Sequence, residues 1–143
     1  MGYQFPSQDW ADALKDILNQ DEQYAEIARD WEGALLITIE MQDETQSPQA
    51  MTFFLDLWHG KCRQARLLND SDPMPEARFK LTAPLKRMLD ILGGNLDPVH
   101  AMMTRQLKVE GSMGYLMRNV PVILDFIRCC RLVDTDPFTG DAV

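Results

Sequence analysis

After Ser7, the apolar residues Trp10, Leu14, Ile17 and Leu18 recur at helical spacing, and Asn19-Gln20-Asp21 breaks the run. This predicts a first helix capped by Ser7. A second helix follows, with Tyr24, Ile27, Ala28 and Trp31 at i, i+3, i+4 and i+7 on one apolar stripe. From Glu32 the period changes to two. Leu35, Ile37, Ile39 and Met41 alternate with Leu36, Thr38 and Glu40, as in a strand with one apolar face. Gln42 to Gln49, polar and containing Pro48, predicts a loop. Met51, Phe53, Leu55 and Leu57 then alternate with Thr52, Phe54, Asp56 and Trp58. His59-Gly60-Lys61 supplies a turn into Cys62 to Leu68, so this stretch is expected to be a hairpin.

Asn69-Asp70-Ser71-Asp72-Pro73 marks another turn, after which Ala77, Phe79 and Leu81 face one way and Arg78, Lys80 and Thr82 the other. Consecutive antiparallel strands are the simplest connection. Thr82 is placed to cap a helix with Pro84 in its first turn, apolar face Leu85, Met88, Leu89 and Leu92, and stop at Gly93-Gly94. Asp97-Pro98 starts a short helix in which Val99, Met102 and Met103 share a face, and Leu107 to Gly111 alternates as a last strand. Ser112 caps a turn bearing Met113, Leu116 and Met117. Asn119 with Pro121 opens a final helix with the stripe Val120, Ile123, Leu124 and Ile127. The tail from Asp134 is polar and expected to be loose.

Composition narrows the function classes. At 143 residues, with 45% hydrophobic and 25% charged content, the chain suits one globular domain. The longest apolar segment, Val120 to Ile127, is interrupted by Pro121 and Asp125, short of a membrane helix. The first residues lack a secretion signal, and cytoplasm is the expected location. Three cysteines, Cys62, Cys129 and Cys130, fit reduced thiols better than a disulfide framework. The net charge of −8 is concentrated in residues 1–45, where eleven acids meet only Lys15 and Arg29, which argues against nucleic acid. Residues 61–131 carry twelve Lys or Arg against seven acids, a balance compatible with anionic ligands or transient membrane contact.

Catalytic and metal-binding chemistry has little to stand on. His59 and His100 are isolated, no Cys-x-x-Cys or His-x-x-x-His spacing occurs, and no Gly-x-Ser-x-Gly elbow or glycine-rich phosphate cradle is present. No cofactor, metal or catalytic residue is expected. Methionine stands out instead, because Met88, Met102, Met103, Met113 and Met117 sit on or beside apolar helical faces, and unbranched thioethers conform to ligands of varied shape.

Two segments carry a family resemblance. Phe79-Lys80-Leu81-Thr82, the Leu/Met helix and Gly94-Asn95-Leu96-Asp97-Pro98 resemble the strand, helix and Gly-x-Leu-x-Pro turn of sterol-carrier-protein-2 (SCP2) domains. Ala101-Met102-Met103, Leu107-Lys108-Val109-Glu110-Gly111 and Ser112-Met113-Gly114 are similar to that family's next run, and Trp58-x-Gly60-Lys61 to its central hairpin. Arg105-Gln106 stands where the family usually has Gly-Lys.

The resemblance implies an α/β (α+β) fold, with a curved five-stranded, mostly antiparallel sheet covered by helices around an apolar cavity. It also implies a non-enzymatic carrier holding a sterol, fatty acid, acyl-CoA or quinone-like ligand. The alternative is an accessory subunit with a closed cavity, for example in lipid or quinone biosynthesis. On this reading the chain is one SCP2-like domain over 1–143: an acidic helical extension at 1–31, open to a protein partner, the sheet and cavity helices at 32–133, and a loose tail at 134–143. The expected lipid-binding residues are Phe53, Leu55 and Phe79 from the sheet, and Met88, Leu89, Leu92, Met102 and Met103 from the middle helices. Leu107, Val109, Met113, Leu116 and Met117 join them from the last strand and the turn after it, and Val120, Ile123 and Ile127 from the final helix.

Overall fold

Ser7 accepts a hydrogen bond from the Trp10 amide and so caps α1 (Gln8–Gln20), which follows a two-residue strand β1 (Tyr3–Gln4). These positions come from a computed structural model that describes residues 2–41, 49–69 and 71–136. The predicted loop at 42–48, Asp70 of the predicted turn, and residues 137–143 of the tail lie outside the described residues. Asp21 ends α1 and caps α2 (Glu22–Ile27) through the Tyr24 amide; Trp31 lies beyond this helix in the turn that follows.

The period-two segments form β2 (Leu35–Met41), β3 (Gln49–Trp58) and β4 (Lys61–Leu68), antiparallel in sequence order, with Leu35 opposite Leu55 and Leu55 opposite Ala65. The β3–β4 turn places His59 at φ 50° and Gly60 at φ 80°, the pair of positive angles that a tight hairpin of this hand requires. Gly60 is also a close approach, since a Cβ there would lie 2.8 Å from the Ala25 carbonyl oxygen of α2.

The fourth expected strand is β5 (Phe79–Pro84), but it does not add to β4 in an antiparallel series. It pairs in parallel with β2, Leu35 opposite Phe79 and Ile39 opposite Ala83, and the sheet order is β4-β3-β2-β5 with β6 (Lys108–Glu110) last and antiparallel. The chain between β4 and β5 therefore passes over the sheet. Met74, Pro75, Glu76 and Ala77 share a surface groove with Asp56, Trp58, Arg63 and Lys80. Leu36 and Phe54, opposite each other on that side, are also buried.

Thr82 does not cap a helix: it lies inside β5 opposite Thr38, and Pro84 is the N-cap of α3 (Leu85–Leu92), without a side-chain cap bond. Asp97 caps α4 (Pro98–Met103) and Ser112 caps α5 (Met113–Arg118). Asn119 precedes α6 (Val120–Leu132) but spends its side-chain amide on the Tyr115 carbonyl. Part of the tail is paired, since β7 (Thr135–Asp136) lies parallel to β1.

One face of the sheet and the helices bury a common core. Phe5, Trp10 and Phe53 meet with ring centroids 4.7–5.8 Å apart. Each such ring, taken out of water, contributes about 1.5–3 kcal/mol.

Candidate functional site

Between the sheet and the helices lies an apolar cavity of about 100 Å³. Leu35, Ile37, Phe53, Leu55, Leu57, Phe79 and Leu81 form its sheet side, all inward-facing by the strand alternation. Phe5, Trp10 and Leu14, with Tyr24 and Trp31, close it at the N-terminal end of the chain. Met88, Ile91, Leu92, Pro98, Met102, Leu107 and Leu116 come from the middle segments, and Val122, Ile123, Phe126, Ile127 and Cys130 from α6. Among the described residues, no charged side chain lines it.

The polar groups of three lining residues, Trp10, Tyr24 and Trp31, are treated differently. The indole of Trp10 donates to the Thr135 hydroxyl at 2.8 Å, and that of Trp31 to the Gly33 carbonyl at 2.8 Å. The Tyr24 hydroxyl, on a residue with 0% exposure, has no hydrogen-bond partner among the described residues. Burial, with the nearby Cys62, Cys129, Cys130 and Asp125, pushes this phenol above its ordinary range and keeps it neutral.

Behind the lining, α2 and α6 are joined by a polar seam. Arg128 donates to both Asp125 oxygens at 2.8 and 3.2 Å and to Asp21 at 2.6 Å, and Gln23 donates to Asp125 at 2.6 Å. The Arg128 hydrogen bond, aided by the Tyr24 amide, holds the Asp21 carboxyl below its usual range. Asp21, Asp125 and Cys129 have donor atoms within 4.8 Å of one another. The site does not suit a metal, because Arg128 already occupies both carboxylates and burial pushes the Cys129 thiol up to about 11. Cys62 is pushed up to about 12 and Cys130 is raised as well, both first by burial, so all three free thiols stay protonated and unreactive near neutral pH. His59, half-exposed, sits 2.7 Å from Glu32 on the surface.

Of the residues expected from sequence to hold lipid, ten line the cavity: Phe53, Leu55, Phe79, Met88, Leu92, Met102, Leu107, Leu116, Ile123 and Ile127. Leu89, Val109 and Met117 pack against the core without reaching the lining. Val120 is half-buried and off the lining, while Met103 is 64% exposed and Met113 also faces out. On α4, Pro98, Ala101 and Met102 turn inward instead of Val99, Met102 and Met103, which rotates Met103 into solvent. On α6 the fully buried set is Val122, Asp125, Phe126, Cys129 and Cys130, so the expected stripe is rotated and Leu124 is 43% exposed. Asp125 is what hides this face in the sequence, because its buried carboxylate is tolerated only through Arg128 and Gln23.

The sequence reading missed Trp10, Leu14, Tyr24 and Trp31, assigning their helices to a separate acidic extension. Their stripes at helical spacing were the available signal, since a stripe of that width must be covered by something.

The comparisons agree with this geometry. Residues 14–123 match the SCP-2 sterol transfer family. A crystal structure of sterol carrier protein 2 is 30% identical, with a TM-score of 0.80, covering 89% of this chain and 97% of that one. The solution structure of a protein described as possibly a sterol carrier protein, from Thermus thermophilus, is also 30% identical, with a TM-score of 0.80, covering 94% and 92%. The apo form of sterol carrier protein 2 from Yarrowia lipolytica shares the fold, with 18% identity, a TM-score of 0.54, and coverage of 85% and 88%. Among proteins of curated function, none matches this sequence. The match over most of its length, on a mixed five-stranded sheet with helices around an apolar cavity, places the chain in the SCP-2 sterol transfer family.

Proposed function

We propose that the protein is a non-enzymatic carrier that holds an apolar ligand of the sterol, fatty acid, acyl-CoA or quinone class inside this cavity. One observation carries the reading: the helices and the sheet meet around an interior with an uncharged lining, where apolar surface is available without a catalytic constellation. The residues proposed to touch ligand are the ten that line it, together with Phe5, Trp10, Tyr24 and Trp31. The three free, buried thiols fit the reducing cytoplasm expected from the sequence.

At about 100 Å³ the cavity is smaller than the several hundred Å³ that a ligand of this size fills. Entry therefore displaces wall side chains, and Met88 and Met102, unbranched and at the lining, yield at least cost. The same small volume supports the second reading, a closed accessory subunit whose acidic helices meet a protein partner.

Mass spectrometry of lipid extracted from the purified protein, followed by melting of the delipidated protein with added ligand, separates the two. A carrier yields extractable lipid, and a long-chain ligand at a hundredfold excess over Kd raises Tm by about 5–10 °C. Short-chain analogues do much less, since each buried methylene contributes about 0.8 kcal/mol. With no extractable lipid and no shift for any class, the closed subunit replaces the carrier.

A further inference from the structure

A ligand reaches an interior cavity only where part of the wall gives way, and α5 is a thin part of this wall. Of its residues only Leu116 reaches the lining, while Met113, Gly114 and Arg118 are exposed, so one short helix stands here between the interior and solvent. The helix is also bounded by joints. Gly111 precedes it at φ 130°, and Asn119 both ends it and opens α6. Positions of this kind, at the ends of elements, are where a chain absorbs the rotation of a moving segment.

One cluster holds α5 in place. The Tyr115 ring centre lies 5.2 Å from that of Trp31 and 5.8 Å from that of Phe79, two residues of the lining, and its hydroxyl accepts from the Glu32 amide at 3.2 Å. The Arg78 guanidinium sits 3.8 Å from the centre of the same ring and donates to the Glu32 carbonyl at 2.7 Å. Arg78 is itself held, since its backbone amide donates to the Ala34 carbonyl at 3.0 Å. Its stem packs on Gly33, where a Cβ would lie 2.8 Å from Arg78 Cδ. The chain entering β2 and the chain entering β5 thus grip a single ring of α5. Neither Tyr115 nor Arg78 lines the cavity, so the pair can set how often the wall opens without shaping the space behind it.

We propose that α5 is the gate of the cavity and that Tyr115, held by Arg78 and the Glu32 amide, is its latch. Ligand passes when the Tyr115 ring leaves Arg78 and Glu32 and Leu116 moves off the lining with it. The inference rests on the carrier reading and adds the route of entry. It also has a kinetic signature. Entry and exit both require the open state, so loosening the latch raises association and dissociation rates by the same factor and leaves Kd unchanged. A residue that only shapes the cavity or supports the fold changes Kd or Tm instead.

The test is stopped-flow binding of a pyrene-labelled long-chain fatty acid to delipidated protein, with release measured by adding excess unlabelled fatty acid. Arg78→Met keeps the stem on Gly33 and loses both contacts of the guanidinium, so both rates are expected to rise about tenfold with Kd held within about twofold. Tyr115→Phe keeps the ring and loses only the bond from Glu32, for a rise of about threefold in each rate, and it reads the latch even where Arg78→Met fails to fold. Arg131→Met frees α3 at the Ile91 carbonyl and not α5, and should leave both rates within about twofold of wild type. Unchanged rates in the folded latch variants, or faster release with a matching loss of affinity, overturns the gate. So does a rise confined to Arg131→Met, which would put the opening at α3. In each of these outcomes the probe still binds, and the carrier reading stands. A probe that does not bind wild-type protein overturns both readings together.

Discussion

Two walls lean on α6, and they are built differently. The α1–α2 wall presents rings, Trp10 and Tyr24, on a helix of 13 residues and a shorter one capped by Asp21. It is tied to its surroundings at many points. Gln8 bonds the backbone of Ala65 and Leu67, and Asn19 bonds the Cys62 amide and carbonyl. Trp10 reaches Thr135, and Asp21 meets Arg128. The α3–α5 wall presents Met88, Met102 and Leu116 on helices of 8, 6 and 6 residues. Its main long-range ties are Arg131 to the Ile91 carbonyl at 2.8 and 3.0 Å, and the Glu32 amide to the Tyr115 hydroxyl at 3.2 Å. Helices this short hold their form only by packing, and segments with few ties open at lower free energy than the rest of a fold. The difference teaches that two walls of one cavity can differ in how firmly they are held, the first fixed by many ties and the second free to shift at lower cost.

The largest test strikes the anchor of the yielding wall. Gly111, at φ 130°, joins β6 to α5, and a Cβ there would lie 2.5 Å from Phe79 Cδ1 and 2.8 Å from the Arg78 carbonyl oxygen. Gly111→Val should destabilise by about 3 kcal/mol or more in urea unfolding, because a β-branched residue fits neither the angle nor the space. A loss under about 1 kcal/mol would show that this wall shifts as a unit at little cost. Gly114 differs: it lies within α5 in ordinary helical conformation, with only the Arg118 side chain and Ser112 Oγ near the place a methyl group would occupy, so it does not shape the turn as Gly111 does.

A middle-sized effect probes the fixed wall. Asp21→Ala removes the cap of α2 and one partner of Arg128, and should cost about 1–2 kcal/mol at neutral pH. Arg128 lowers the folded-state pKa of Asp21, so this stabilisation is present above the ordinary aspartate value of 3.8 and is lost as pH falls below it. Unfolding curves of wild type and variant should therefore converge in acid. Native-state hydrogen exchange on the same variant should quicken in α2 and leave α3 and α4 unchanged; acceleration of all three would erase the distinction between the walls.

The smallest effect runs the other way. Arg105 follows α4 at φ 64°, a left-handed conformation that glycine adopts without strain. Arg105→Gly should stabilise by about 0.5–1 kcal/mol, raising Tm by about 2–3 °C. A decrease would mean that the arginine side chain contributes more than its backbone angle costs.

Much of this was legible in the sequence. The switch from a period of 3.6 to a period of 2 at Glu32 locates the step from helices to sheet, and Ser7, Asp97 and Ser112 mark helix starts correctly. The Phe79 and Met102 segments carried the family and hence the cavity. The parallel pairing of β5 with β2 was not legible, because alternation reports which face a residue occupies and says nothing of its neighbour strand. Nor was the inward face of α6, since Asp125 scores as solvent-facing until Arg128 and Gln23 are placed around it. Tyr24 sat in plain view on an apolar stripe, yet only the assembled fold shows that its hydroxyl meets no partner among the described residues.

The placement of β5 beside β2 also bears on how fast the molecule assembles. The β3–β4 hairpin joins residues close in sequence, whereas the β2–β5 ladder joins Leu35 to Phe79 across the whole hairpin and the crossover that follows it. Loop-closure entropy opposes such a contact before any pairing rewards it, so the central ladder is expected to slow folding relative to a sheet of hairpins alone. The cavity, bounded by β2 and β5 together, is complete only once that ladder has formed.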